Sequence, residues 1–184
     1  MKLKSRNILH IPKIKRKGIY TFTLFFISIT LMFVSCGIYS FTGASISPEA
    51  KTVSIEYFKN NASVVNPILS QTLTEALKDK FLNQTSLQLT EEDGDLQFEG
   101  TITAYQTVPQ AITSNQTAAL NRLSVTVRVN YVNKFDESKN FETSFTRYVD
   151  YDSSISLSSI EASLIEEIVE NLVLDIFNQA VVNW

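Results

Sequence analysis

Two pairs of aspartates stand one residue apart along the chain, Asp93 and Asp95 around Gly94, and Asp150 and Asp152 around Tyr151. Carboxylates this close could share a calcium ion. Calcium, however, takes about six to eight oxygen ligands, and neither loop carries the rest, so both pairs are expected to be solvated turns. The same side chains could act as acid and base of a hydrolase, but that use needs a walled pocket, which one small sheet with two helices rarely builds. Arg122 and Arg128, on or beside the most regular alternating segment, could grip a phosphate in a forked hydrogen bond. The plainer expectation for them is an exposed guanidinium on the polar side of a strand. The few glycines are scattered, and no glycine-rich phosphate loop is present.

The strongest chemical signal is Cys36, the only cysteine. A basic lead with Lys13, Lys15, Arg16 and Lys17 precedes an apolar run from Ile19 to Val34, and the small residue Ser35 stands just before Cys36. That order is the layout of a secretory signal peptide. A cysteine behind a small residue at the cleavage point resembles the bacterial lipobox, with Phe33 where that motif usually has leucine. The expectation is cleavage before Cys36, which is then diacylated and becomes the new N-terminus. A permanent span needs about 20 apolar residues, and this run is shorter and interrupted by Thr21, Thr23, Ser28 and Thr30. Several acyl chains on one residue hold a protein firmly, at about 0.8 kcal/mol per buried CH₂. The layout is then a signal peptide over 1–35, a lipidated N-terminus and tether over 36–50, and a single domain over 51–184.

Removing the leader changes the charge more than the length. Seven of the sixteen basic residues lie there and none of the nineteen acidic ones, so the remainder carries nine basic against nineteen acidic residues, a net of −10. Such a body is a poor partner for nucleic acid, whose phosphates require a surplus of Lys and Arg. It is equally poor at broad adhesion to anionic lipid. His10, the only histidine, leaves with the leader. Without imidazole or free thiol there is no Ser-His or Cys-His nucleophile, no disulfide framework and almost no route to a zinc site. No cofactor is implied.

The elements that would position these residues follow from periodicity. Lys51 to Phe58 alternates, with Val53, Ile55 and Tyr57 on one side, and predicts a half-buried strand. Asn66-Pro67 predicts an N-cap and first helical residue, and Ile68, Leu69, Leu73, Ala76, Leu77 and Phe81 form the apolar stripe of a helix ending near Asn83. Lys78 and Lys80 fall in its last turns, where cations suit the helix dipole. Leu87 and Leu89 suggest a short strand. A turn follows, in which Gly94 is free to take positive φ. Asp95 to Gln106 alternates with Leu96, Phe98, Ile102 and Ala104 on one side, Pro109 ends that strand, and 110–119 reads as a long connection. Leu123, Val125, Val127, Val129 and Tyr131 alternate most cleanly. A charged hairpin turn over 133–140 leads to a return strand with Phe141, Thr143 and Phe145. A final helix begins near Ser158, with Ser158 and Glu161 as a capping box and Ile165, Ile168, Val169, Leu172, Ile176, Phe177 and Ala180 as its apolar face. The simplest burial scheme is an α+β domain with two helices packed on one face of a four-stranded sheet.

Several stretches together carry a family resemblance: CGIYSFTG (36–43), NPILSQTLTEALKDKF (66–81), DLQFEGTITAYQT (95–107), AALNRLSVTVRVNY (118–131), YVDYDSS (148–154) and LIEEIVENLVLDIFNQAVVNW (164–184). In their order and extent they resemble the LptE-like lipopolysaccharide-assembly lipoproteins of Bacteroidota. The resemblance implies an α/β sandwich and a role without catalysis. It also implies an anchor in the inner leaflet of the outer membrane and a seat as a plug inside an LptD-like β-barrel, where the protein helps assemble the barrel and insert lipopolysaccharide. The resemblance also implies that some members contact lipopolysaccharide through basic residues near strand ends and loops, and Arg122 and Arg128 are the candidates it carries over here. No acidic run of the surface-export kind follows Cys36, which favours a domain facing the periplasm or the barrel lumen. The rival expectation is a periplasm-facing lipoprotein holding a small apolar ligand between sheet and helices.

Overall fold

The computed structural model describes residues 46–110 and 119–181. Cys36, the leader, most of the tether, nearly all of the 110–119 connection and the last three residues lie outside the described residues.

Three long strands carry the domain: β4 (Leu96–Pro109), β5 (Leu120–Asn133) and β6 (Phe141–Asp152) form an antiparallel meander. Alternation on β5 buries Leu123, Val125, Val127, Val129 and Tyr131 and turns Arg122, Ser124, Thr126 and Arg128 the other way. Side chains on a strand point to opposite faces in turn, so this one segment decides which face of the sheet is covered. The sheet is completed by β1 (Thr52–Ile55), β2 (Lys59–Asn60) and β3 (Gln88–Thr90), in the order β3-β1-β4-β5-β6 with β2 beside β4. It has six strands rather than four, because two short segments join the four longer ones. The strand β1 runs parallel to both β3 and β4, and the β1–β3 connection is the helix α1 (Leu69–Gln84), as parallel neighbours require a crossover.

Both helices, α1 and α2 (Leu157–Val181), pack on the same face. Leu69, Leu73, Leu77 and Phe81 of α1 and Ile165, Ile168, Val169, Leu172, Ile176 and Phe177 of α2 are buried, matching the predicted stripes, whereas Ile68 is exposed. Asn66 caps α1: its Oδ1 accepts from the amides of Ile68 (2.9 Å) and Leu69 (3.2 Å), with Pro67-Ile68 as a lead-in turn before the regular helix. The last turn of α1 carries no basic residue. Lys78 instead pairs with Glu75 at 2.9 Å, and Lys80 lies 5.4 Å from the ring centre of Phe177.

Three expectations are corrected by local backbone geometry. The first strand breaks after Ile55. Ile55 pairs with Phe98 and Lys59 with Thr101, four residues against three, so the alternation slips. Tyr57 therefore faces solvent and Phe58 is fully buried. On β4 a bulge at Thr103 makes the same slip: Ile102 pairs with Val127 but Ala104 with Thr126, so Tyr105, not Ala104, joins the core. In the acidic turn the positive φ belongs to Asp93 (55°), not to Gly94. Gly94 is needed for proximity instead, because a Cβ there would lie 2.4 Å from the backbone nitrogen of Ser54.

Gly100 serves the same purpose on the covered face. A Cβ at that position would stand 2.1 Å from Cε1 of Phe58, whose ring fills the space over the glycine. The amide of Phe58 is fixed by the buried Thr74 hydroxyl at 3.1 Å, which in turn donates to the carbonyl of Ser70 at 2.7 Å. With its backbone tethered and its ring enclosed, Phe58 cannot withdraw. Gly100→Ala is therefore expected to destabilise the domain by about 1–3 kcal/mol through overpacking, read as a lowered urea midpoint at unchanged slope.

Candidate partner-binding face

The face of the sheet opposite the helices is left open, since none of the described elements packs on it. Its central residues are hydroxyls and amides. Thr126 and Thr146, opposite each other on β5 and β6, share a hydrogen bond at 2.9 Å, and Thr103 on the β4 bulge donates to the Thr126 carbonyl at 3.3 Å. Gln106 and Ser124 form the next pair along.

The sequence-predicted arginines lie on this face, each beside a carboxylate. Arg122 holds Asp150 in a forked contact, Nε to Oδ1 at 2.7 Å and Nη2 to Oδ2 at 2.8 Å, and its guanidinium lies 3.6 Å from the centre of the Tyr148 ring. Hydrogen bonding by Arg122 holds the Asp150 carboxyl below the usual carboxylate range, and the same contact raises the arginine. Arg128 pairs with Glu142 at 2.8 Å. Arg147, on the covered side, grips Asp175 of α2 at 2.5 and 2.6 Å. Arg122 and Arg128 stand six residues apart on β5, so they share a face without converging on one point.

The two aspartate pairs also have internal partners. Asp93 accepts from Lys134 at 2.6 Å, which lowers its pKa. Asp95 accepts from the amides of Lys51 (2.8 Å) and Thr52 (3.0 Å), the Lys51 bond being the main reason it too is lowered. Asp152 is lowered by Ser154, first through its hydroxyl and then through its amide, which donates at 2.8 Å. These carboxylates organise turns and strand ends. Among the described residues no three metal-ligating side chains converge.

Between sheet and helices the space is filled by rings. Phe177 meets Phe81 at 5.0 Å between centres, Phe81 meets Phe98 at 4.9 Å, Phe98 meets Tyr131 at 4.7 Å and Tyr131 meets Phe141 at 5.2 Å. A groove of about 410 Å³ lies instead between α1 and α2, bordered by Asp79, Lys80, Glu166 and Glu170 over Ala76, Val169 and Val173. No buried side-chain nitrogen or oxygen lacks a partner among the described residues.

One polar junction escaped sequence reasoning. Glu161 does not close a capping box with Ser158. It points inward, accepting from Asn66 Nδ2 at 3.1 Å and from the Tyr105 hydroxyl in a short bond. The entry to α1, the bulged stretch of β4 and the first turns of α2 are thereby tied at one point. Nothing in the run Thr101–Tyr105 marks the bulge that turns Tyr105 inward, since it contains neither glycine nor proline.

A two-layer domain with one polar open face, a ring-filled interior and engaged arginines is the geometry on which the comparisons bear. The model of the LptE family, lipopolysaccharide-assembly, matches residues 50–180. The chain belongs to that family. Among curated proteins none matches this LptE-family chain. Among solved structures, a hypothetical protein of Chlamydia trachomatis shares 8% identity at a TM-score of 0.50, covering 73% of this chain and 99% of that one. A minor lipoprotein of Acinetobacter baumannii shares 17% identity at a TM-score of 0.47, covering 71% and 91%. The first of these supports the α+β fold of this LptE-family domain. No helix among the described residues is long and apolar enough to cross a membrane.

The junction gives a pH-dependent expectation. Burial first, and then the Glu161 hydrogen bond, push the Tyr105 hydroxyl well above its ordinary value, while burial pushes Tyr131 to about 12. A raised folded-state pKa means that the unfolded chain releases its proton first. The associated stability is complete below about pH 10 and is lost as pH rises through the folded value. Tyr105→Phe should cost about 1–2 kcal/mol at neutral pH and flatten the fall in stability above pH 10, leaving the share of Tyr131. Denaturation midpoints from pH 7 to 11 measure both effects.

Proposed function

We propose that this lipopolysaccharide-assembly family member is a non-catalytic wedge, anchored in the outer membrane by acyl chains on Cys36 and seated in the lumen of an LptD-like β-barrel. There it supports barrel assembly and passage of lipopolysaccharide to the outer leaflet. The observation that carries the reading is the open face of β4, β5 and β6. It presents threonine, serine and glutamine hydroxyls and amides between ion pairs that are already neutralised, and the interior of such a barrel is polar. The rival, a small apolar ligand held between sheet and helices, would need the volume that the linked rings of Phe81, Phe98 and Tyr131 occupy.

Arg122 and Arg128 enter this proposal as contacts to lipopolysaccharide phosphate only by exchange, with the phosphate displacing Asp150 from one or Glu142 from the other. The wedge does not require that exchange. Asp150→Asn would loosen the hold on Arg122 and should strengthen binding to lipopolysaccharide micelles if the exchange occurs.

The deciding experiment is a mild-detergent pull-down of the tagged full chain from membranes, beside two variants. The parent should bring down one large outer-membrane barrel in near-equal amount. Cys36→Ala should leave the membrane fraction. Thr126→Glu, which puts an uncompensated charge at the centre of the open face, should cut barrel recovery about tenfold or more while retaining the parent melting curve. Recovery of the lipoprotein alone would overturn the wedge reading.

A further inference from the structure

The strand β6 is the last in the sheet, and the direction of its unused backbone groups can be read from its neighbours. The amide of Ser153 donates to the carbonyl of Ala119 at 3.0 Å, and on the other flank of β5 the amide of Gln110 donates to Leu120 at 2.8 Å. The β5–β6 register runs without a shift from Leu120–Asp152 to Tyr131–Phe141. Hydrogen-bonded and non-bonded pairs alternate in an antiparallel ladder. The odd residues of β6 therefore bond to β5, and the even ones turn amide and carbonyl to the free edge: Glu142, Ser144, Thr146, Tyr148 and Asp150. These outward groups span about 27 Å, and no strand among the described residues pairs with them.

Native sheets guard such an edge with proline, lysine, a bulge or a very short strand. The opposite edge follows that rule, since β3 has only three residues. The strand β6 has twelve residues and contains no proline, glycine or lysine. Three of its four charged side chains, which could guard the edge, are drawn away from it, and the fourth, Asp152, ends the strand and caps the turn at Ser154. Glu142 is held by Arg128 and Asp150 by Arg122, both on β5, and Arg147 is held by Asp175 on α2.

We infer that the outer edge of β6 is a docking edge that takes an extended, non-acidic segment of another polypeptide as an added strand. Charge selects the occupant. The described domain carries nineteen acidic and nine basic residues, so a second copy brings a net of −10 against −10. Symmetric antiparallel pairing of two β6 strands about Thr146 sets Glu142 against Asp150, and about Arg147 it sets Glu142 against Asp152. Like charges directly opposite each other destabilise a pair. A foreign strand with hydroxyl or basic side chains on the open-face side meets no such penalty, and main-chain hydrogen bonds supply its affinity. Only the partner's identity rests on the wedge reading, under which the segment belongs to the barrel.

The test places a photo-crosslinking residue in turn at 144, 146 and 148 of the full-length lipoprotein in cells, with mass spectrometric mapping of the products. A docked strand gives crosslinks that step by two residues along one segment of another protein. Ser144→Pro removes an outward amide without touching the ladder to β5. It should lower crosslinking from 146 and 148 about tenfold with little change in melting temperature, whereas Thr143→Pro should unfold the strand. Ser144→Lys, a charged guard, is the second variant should the proline disturb folding. A ladder of crosslinks on a second copy, scattered products, or none would overturn the inference. Barrel recovery is scored separately: if parent and variants all fail to bring down a barrel, the wedge reading fails, and the docking edge is judged on the crosslink ladder alone.

Discussion

The line of touching rings from Phe177 through Phe81, Phe98 and Tyr131 to Phe141 is the contact on which the other layers rely. It crosses from α2 to α1, into the central strands and out to β6, so both helices and all three long strands have one member in it. Aromatic pairs at these separations add about 0.5–1.5 kcal/mol each beyond the area they bury. They also fix the distance between helix layer and sheet. Because the rings fill that gap, everything able to meet another molecule has been placed on the outside, on the open face, on the strand edge or in the groove between helices.

One-sided burial then dictates the chemistry of the other side. A sheet whose covered face takes Leu123, Val125, Val127 and Val129 must put Ser124, Thr126 and Arg128 on the opposite face. That face needs neither basic character nor an apolar patch to stay soluble, because cross-strand pairs neutralise its charges locally. The excess of acid lies elsewhere, in the exposed residues of α2 and in the turn around Glu91 and Glu92. The domain thus combines a strongly acidic body with a nearly neutral open face.

Long regular segments were readable before any coordinates: the alternation of β5, both helical stripes and the hairpin between Asn133 and Asn140 all stand where periodicity puts them. Two of the misreadings share one physical cause. Tyr57 against Phe58 and Ala104 against Tyr105 are both shifts of a single residue, produced by extra residues in one strand that the composition of neither stretch announces. Gly94 and Gly100 are required for closeness, which needs a neighbour from a distant part of the chain to be seen. Glu161 fitted a local capping pattern, yet its partners, Asn66 and Tyr105, are 95 and 56 residues away. The open face could be inferred from alternation alone. That its arginines already had partners could not, since Arg122 and Asp150 meet only through the register of β5 with β6.

Those long separations bear on the order of events during folding. The β4–β5–β6 meander can close from near neighbours, and each helix can form against it as soon as it is present. The bonds of Glu161 must wait until the lead-in to α1, the bulge of β4 and the start of α2 have all arrived, and closing a large loop has to be compensated by contacts made afterwards. The junction therefore belongs to the descending side of the folding barrier. Its strength governs how slowly the finished domain opens and has little influence on how quickly it first assembles.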